Sequence, residues 1–316
     1  MHMYYVADAM HLRRRVSQSE TLYSSIRFCN GMGEMSKKAM DIHDLSKEAQ
    51  KILYTDYKNR FAAFFCSFLF LIVDGFLCVK EYWIMALFLL YMPIWIMSRY
   101  YGSQKDYFAE LLEKRCQAAR MAEVYSYRYE HHLTEKTRKN TAALAARAWT
   151  YSGNKKNALL YCEKTDLYHA LYEKMFAAFV AEDREDFYEG WKSYLALAPQ
   201  LKEKSKLYMW YHKSFEKLDI YHAYMDGEYK LFFEETEEKR KLFTQAELVL
   251  LSYKKACLLS QDEPETAEQA FYYVLDKGGS MICVTQAKEQ LQSLFSAQDQ
   301  STGWQGKEGN QDNLPS

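Results

Sequence analysis

Two apolar runs stand back to back in this chain, Phe61–Val79 and Tyr82–Ser98, with only Lys80 and Glu81 between them. The first holds a single charge, Asp74, and the second holds none. A helix needs roughly 20 predominantly apolar residues to cross the hydrocarbon core of a bilayer at about 1.5 Å per residue. Each run meets that length, and the separator is too short for anything but a tight turn. The pair therefore reads as a transmembrane hairpin, residues 61–98, with spans at 61–79 and 82–98. Every other reading of the chain must accommodate it.

Basic residues near the spans set the orientation, because Lys and Arg are retained on the cytoplasmic side. Lys47, Lys51, Lys58 and Arg60 precede the first run, and Arg99, Lys105, Lys114 and Arg115 follow the second. The turn carries only Lys80. Both termini are expected in the cytoplasm, with the protein in the inner (plasma) membrane of a bacterial-type cell. Tyr54, Tyr57, Trp95, Tyr100 and Tyr101 fall at the inner interface and Tyr82 and Trp83 at the outer one, as an aromatic belt requires. Pro93 is expected to bend the second span. Asp74 has two readings: an intramembrane ionisable group acting in transport or helix pairing, or a carboxylate that reaches the outer headgroups from about 9 Å below the turn.

The rest of the chain is soluble in character. Mean hydropathy over all 316 residues is −0.44. Gly and Pro number only 12 and 4, which starves β-turns and suits helices. The fold class is all-α. A net charge of −1 lacks the basic excess of a nucleic-acid binder, so no nucleic-acid partner is expected. Seven cysteines are scattered without CxxC or Cys/His spacing and read as reduced thiols in a reducing compartment.

Around the hairpin, residues 1–40 form either a flexible basic arm or an extension upstream of a true start at Met35. Residues 41–60 (Ile42, Leu45, Ala49, Ile52) and 99–132 (Phe108, Leu111, Leu112, Ala119, Ala122, Tyr125, Tyr129) carry apolar stripes at helical spacing. These read as a juxtamembrane helix and a stalk helix that pair with each other, or as stripes that pack onto the domain beyond. Gly102–Ser103 offers a joint, or the second span runs straight on. Residues 297–316 lack apolar mass and read as a disordered tail.

Between 133 and 296 the chain alternates helical stretches with short breaks. Ala146, Trp149, Gly153, Asn154, Ala158 and Cys162 are followed 32 residues later by Ala178, Glu185–Phe187, Gly190 and Tyr194. A small residue, a turn, then a second small residue suits two antiparallel helices that cross closely. Ala223, Gly227 and Phe232 make a third unit, with a bulky group where a small one belongs. Leu258, Glu265, Ala270 and Val274 make a weaker fourth, with Pro264 in a helical first turn. A longer helix is expected through Lys202–Leu218, a stop at Gly278–Gly279 and a closing helix over Thr285–Phe295.

This pattern resembles the tetratricopeptide repeat over about half the chain. The resemblance implies an α-solenoid of helix pairs whose concave surface binds a peptide or partner helix. It brings no catalytic residues. Tyr208, Trp210, Tyr211, Tyr221 and Tyr224 are candidates to line that surface, since aromatics anchor interfaces; at helical spacing they equally suit inter-repeat core. The histidines His131, His132, His169, His212 and His222 show no ligand or HExxH spacing and read as structural. The Glu234–Lys241 run reads as a solvated helix face. No catalytic residue, metal ligand or cofactor site is nominated, and the chain is not expected to be an enzyme. The expected function is a membrane-anchored adaptor or scaffold with a protein partner and the lipid bilayer; the alternative is an accessory or regulatory subunit of a transporter or channel complex in which Asp74 acts.

Overall fold

Ser46 sets the start of the first long helix by accepting the Ala49 N–H, which satisfies one of the donors a helix leaves open. The computed structural model describes residues 41–305 apart from 81, 132–133, 198–200 and 202–204. The expected arm 1–40, His132 and the last eleven residues of the tail lie outside the described residues. All regular structure among the described residues is helical.

Helix α1 (Lys47–Val79) runs unbroken for 33 residues through the juxtamembrane segment and the first apolar run. Helix α2 (Trp83–Ala109) returns beside it and continues through Pro93 and Gly102–Ser103. The joint is absent: an isolated helical Gly costs only about 1 kcal/mol and does not stop a helix. Tyr100 fixes the antiparallel register by donating its hydroxyl to Asp56 Oδ1 at 2.9 Å. Among the described residues one helix, α1, is long and apolar enough to cross a membrane.

The expected stalk 99–132 is not one helix. A π-helical turn (Glu110–Lys114) and a left-handed Cys116 (φ 53°) break it before α3 (Ala118–His131). Both stripes pack onto the domain, because Leu45, Ala49, Ile52, Phe108, Leu111 and Leu112 share one buried core with it. Polar contacts fix the join: Ser46 N–H donates to Glu123 Oε2 (2.8 Å), Arg120 pairs with Glu48 (2.5 Å), and the Tyr57 and Tyr127 hydroxyls meet at 3.2 Å.

Nine further α-helices follow among the described residues: α4 (Glu135–Tyr151), α5 (Lys155–Cys162), α6 (Leu167–Ala181), α7 (Arg184–Leu197), α8 (Lys206–Asp226), α9 (Tyr229–Glu238), α10 (Gln245–Leu259), α11 (Pro264–Lys277) and α12 (Ile282–Gln305). Thr134, Asn154, Asp166, Ser205 and Thr244 cap five of them with side-chain oxygens. Pro264 opens α11, where its missing N–H has no partner to lose. Each even-numbered helix from α4 to α10 packs on its successor, and α4, α6 and α8 lie side by side. Helix α12 runs past residue 297, where disorder was expected; Gln, Asp and Ser interrupt a helix only weakly, and the first Gly in that stretch is Gly303.

The small residues of the first two helix pairs sit at close approaches. Ala146 and Ala158 are fully buried. A Cβ on Gly190 would stand 2.6 Å from Met175 Cγ, which belongs to the helix α7 crosses. Gly190→Ala should therefore lower stability by about 1–3 kcal/mol through overpacking, although Ala is the better helix former by about 1 kcal/mol. Denaturant unfolding of the full chain checks this, and a raised midpoint would contradict it. Ala146→Leu and Ala158→Leu carry the same expectation.

The domain does not end as an open spiral. Its last turn closes on its beginning: Ser280 N–H donates to Cys116 O (3.0 Å) and Ala119 N–H donates to Ser280 Oγ (3.3 Å). Gly153, held at φ 83°, has Ile282 so near that an added Cβ would meet its Cγ1 at 2.8 Å. Helices α4, α6, α8 and α10 thus enclose a filled interior.

Candidate functional site

Four helices aim ionisable side chains into that interior. Arg147 and Tyr151 lie one turn apart on α4, as do Lys217 and Tyr221 on α8; Tyr172 and Glu173 come from α6 and Glu247 from α10. Arg147 binds Glu173 with two parallel donors, Nη2 to Oε1 at 2.5 Å and Nε to Oε2 at 3.3 Å. Lys217 Nζ donates to both Glu247 oxygens, at 2.8 and 2.6 Å. Glu247 Oε2 also accepts the Thr244 N–H at 2.8 Å, completing a capping box at the start of α10. One carboxylate therefore neutralises α8 and caps α10.

Burial dominates the electrostatics, since the Glu173 and Glu247 side chains are only 2% and 1% exposed. It pushes Glu173 above the usual carboxylate value against the pull of Arg147, and it draws Lys217 down against the pull of Glu247. Burial also raises Tyr151, Tyr172 and Tyr221 well above the ordinary phenol, and the Glu247 carboxylate adds to the effect. These phenols stay protonated. The Tyr151 and Tyr221 hydroxyls have no hydrogen-bond partner among the described residues; Thr244 faces Tyr151 from outside hydrogen-bond geometry. Each charge here is matched by an opposite one, so one pair ties α4 to α6 and the other ties α8 to α10.

A third interior cation, Lys254 of α10, reaches back to the end of α6. Its Nζ donates to Glu182 Oε1 at 2.5 Å and to Val180 O at 3.3 Å, beneath the Phe179 and Tyr224 rings. Glu182 adopts the left-handed conformation (φ 57°), uncommon for a side chain with a Cβ. Its burial would raise it, but Lys254 and the Tyr224 hydroxyl (3.0 Å) outweigh that and hold it below 4.5.

The five nominated aromatics separate into two groups. Tyr211, Tyr221 and Tyr224 are buried: Tyr221 stacks on Phe179 at 4.3 Å, Tyr211 on Tyr194 at 4.6 Å, and Tyr224 serves Glu182. These three line no open surface, because the interior they face is filled. Tyr208 and Trp210 are half-buried near the start of α8. Trp210 lies 4.4 Å from the His169 ring and 5.8 Å from Tyr172, whose other neighbour is the Arg147 guanidinium. Leu167, at the start of α6, and Met209, next to Trp210 in the chain, are 56% and 59% exposed. The starts of α6 and α8, in contact through Trp210 and His169, thus carry exposed apolar side chains.

The histidines have local partners. His169 bonds the Asp166 carboxylate at 2.7 Å and holds it below 3.8, His131 bonds Tyr127 O, and His222 pairs with Asp226. Cys116, Cys162 and Cys283 are buried; burial pushes Cys116 up to about 11 and Cys283 up to about 12, which keeps both as thiols. No group of metal-ligating side chains occurs among the described residues. A cleft between α9 and α10, walled by Phe232, Phe233 and Arg240, encloses only about 30 Å³, room for one water.

On the hairpin, Phe61, Phe64, Phe76, Ile84 and Ile94 are each more than 60% exposed. Asp74 Oδ1 is shielded and has no hydrogen-bond partner among the described residues.

Comparison of the chain with family models, with curated proteins and with solved structures finds no match. Geometry alone carries the functional reading.

Proposed function

We propose that this chain is a membrane-anchored adaptor: α1 and α2 form a hairpin in the bilayer, and the tetratricopeptide-like domain behind it binds a protein partner in the cytoplasm. The observation that carries this reading is the surface of the hairpin. Its large aliphatic and aromatic side chains face outward over both helices, far beyond the few hundred Å² of contiguous apolar surface a soluble monomer tolerates. Lipid covers such a surface without cost. The domain behind it is closed and internally neutralised, which suits a rigid platform.

The partner surface is the patch of Leu167, Tyr208, Met209 and Trp210, and an amphipathic helix or apolar peptide is the occupant it suits. Replacing Met209 and Trp210 together by alanine should weaken the complex by about 2 kcal/mol or more, roughly 30-fold, as loss of an aromatic anchor does. Affinity of a co-purified partner for the two purified chains, with matched unfolding midpoints, reads this. Undiminished affinity would remove the patch from the interface.

A second reading, an accessory or regulatory subunit of a transporter or channel complex, is favoured by one feature, the shielded and unpartnered Asp74 oxygen. Such a group in a membrane helix is a natural ion or proton site. Asp74→Asn separates the two readings: a tether keeps its function, and a transport subunit loses it.

A further inference from the structure

We propose that the base of the hairpin is a binding collar for phospholipids with net-negative headgroups, an inference that rests on the bilayer reading above. The Tyr100–Asp56 hydrogen bond sets the level at which the two helices leave the apolar region. On α1, Lys58 and Arg60 stand about 3 and 6 Å from that level along the helix axis, with Lys51 about 7.5 Å the other way. On α2, Arg99 adjoins it and Lys105 is about 7.5 Å beyond. All five are exposed, and none forms an ion pair among the described residues.

Elsewhere in the protein some cations are paired, such as Arg115 with Glu110, Arg120 with Glu48, Lys139 with Glu135 and Lys155 with Asp183 and Asp186, and others, such as Lys156, Lys174 and Lys192, form no ion pair among the described residues; the collar differs in gathering five unpaired cations at one level. Within the stretches that carry these five cations, 51–60 and 99–105, Asp56 is the one carboxylate, and Tyr100 already engages it; Asp106 follows directly after Lys105. The excess positive charge has no protein partner at this level. Exposed aromatics bracket it, with Tyr54 and Tyr57 on one helix and Trp95 and Tyr101 on the other, the side chains that settle at headgroup depth. The Arg99 guanidinium lies 6.0 Å from the Trp95 ring, so it is held near that depth without being neutralised. A zwitterionic headgroup brings its own ammonium and leaves the collar uncompensated; an anionic glycerophospholipid compensates it, and each basic side chain at the surface adds to the attraction.

The test uses the full chain reconstituted in phosphatidylcholine bilayers with a trace of spin-labelled lipid, phosphatidylglycerol in one sample and phosphatidylcholine in the other. The fraction of each label restricted at the protein surface gives their relative affinity. The native chain should prefer phosphatidylglycerol by about three- to tenfold at low salt, and about 1 M salt should abolish the preference. The Lys58→Gln/Arg60→Gln/Arg99→Gln chain should lose it, while Arg60→Lys/Arg99→Lys should keep it, which separates charge from any folding defect. Equal restriction of both labels by the native chain, or a preference that survives in the glutamine variant, overturns the collar and leaves the hairpin standing. Absence of any restricted component with either label overturns the bilayer reading, and the collar with it.

Discussion

Glu247→Ala should cost the full chain about 3–5 kcal/mol, because it leaves the Lys217 ammonium buried without a counter-charge. The Lys217 side chain is 12% exposed and its only ion-pair partner among the described residues is Glu247. The same substitution removes the carboxylate that caps the Thr244 N–H, so the first turn of α10 loosens as well. Denaturant unfolding followed by tryptophan fluorescence gives the measurement. Lys217→Met combined with Glu247→Leu should recover most of the loss, since an apolar pair of similar volume needs no desolvation of charge. A single-variant cost below about 1 kcal/mol, the usual size for an exposed pair, would mean that the interior is wet and that α8 and α10 are not held by this pair.

Leu69→Arg discriminates between water and lipid around the hairpin. Leu69 is 46% exposed near the middle of the first apolar run. In water, a charged side chain at an exposed helix position changes stability by no more than about 0.5 kcal/mol. At the centre of a bilayer, replacing Leu by Arg raises the free energy of insertion by about 3 kcal/mol on the translocon scale. The expected result is a large fall in the membrane-inserted fraction, read by alkaline extraction of membranes, with the domain still folded. An unchanged inserted fraction would argue that Leu69 does not face lipid.

The hairpin helices, the all-α class and most breaks were legible because their signals are local. Asn154 caps α5 directly after Gly153, Pro264 opens α11, and Gly278 follows the end of α11, each a property of one or two residues. The closure of the domain was not legible. Ser280 meets the Cys116 carbonyl across 164 residues, and nothing in either sequence neighbourhood marks the other. The charged interior was hidden for a related reason. Arg147, Glu173, Lys217 and Glu247 lie on four different helices, and each alone resembles a solvated position. The aromatics of α8 were legible as a group, but not which way the helix is rotated; the structure buries Tyr211, Tyr221 and Tyr224 and leaves Tyr208 and Trp210 half-buried. The choice between a paired stalk and stripes packed onto the domain was not legible, because an apolar stripe has the same period whether it meets a second stalk helix or a domain; the structure shows the second.

Site-directed labelling of intact cells with a membrane-impermeant maleimide tests the central claim most directly. One chain carries Glu81→Cys, between α1 and α2 in the sequence, and the other carries Gln298→Cys, near the C-terminal end; both are compared with the parent chain. If the hairpin crosses and returns with its domain inside, the first gains label in intact cells and the second gains it only after the membrane is opened. Labelling of residue 298 in intact cells, or no gain at residue 81 in cells intact or opened, would contradict it.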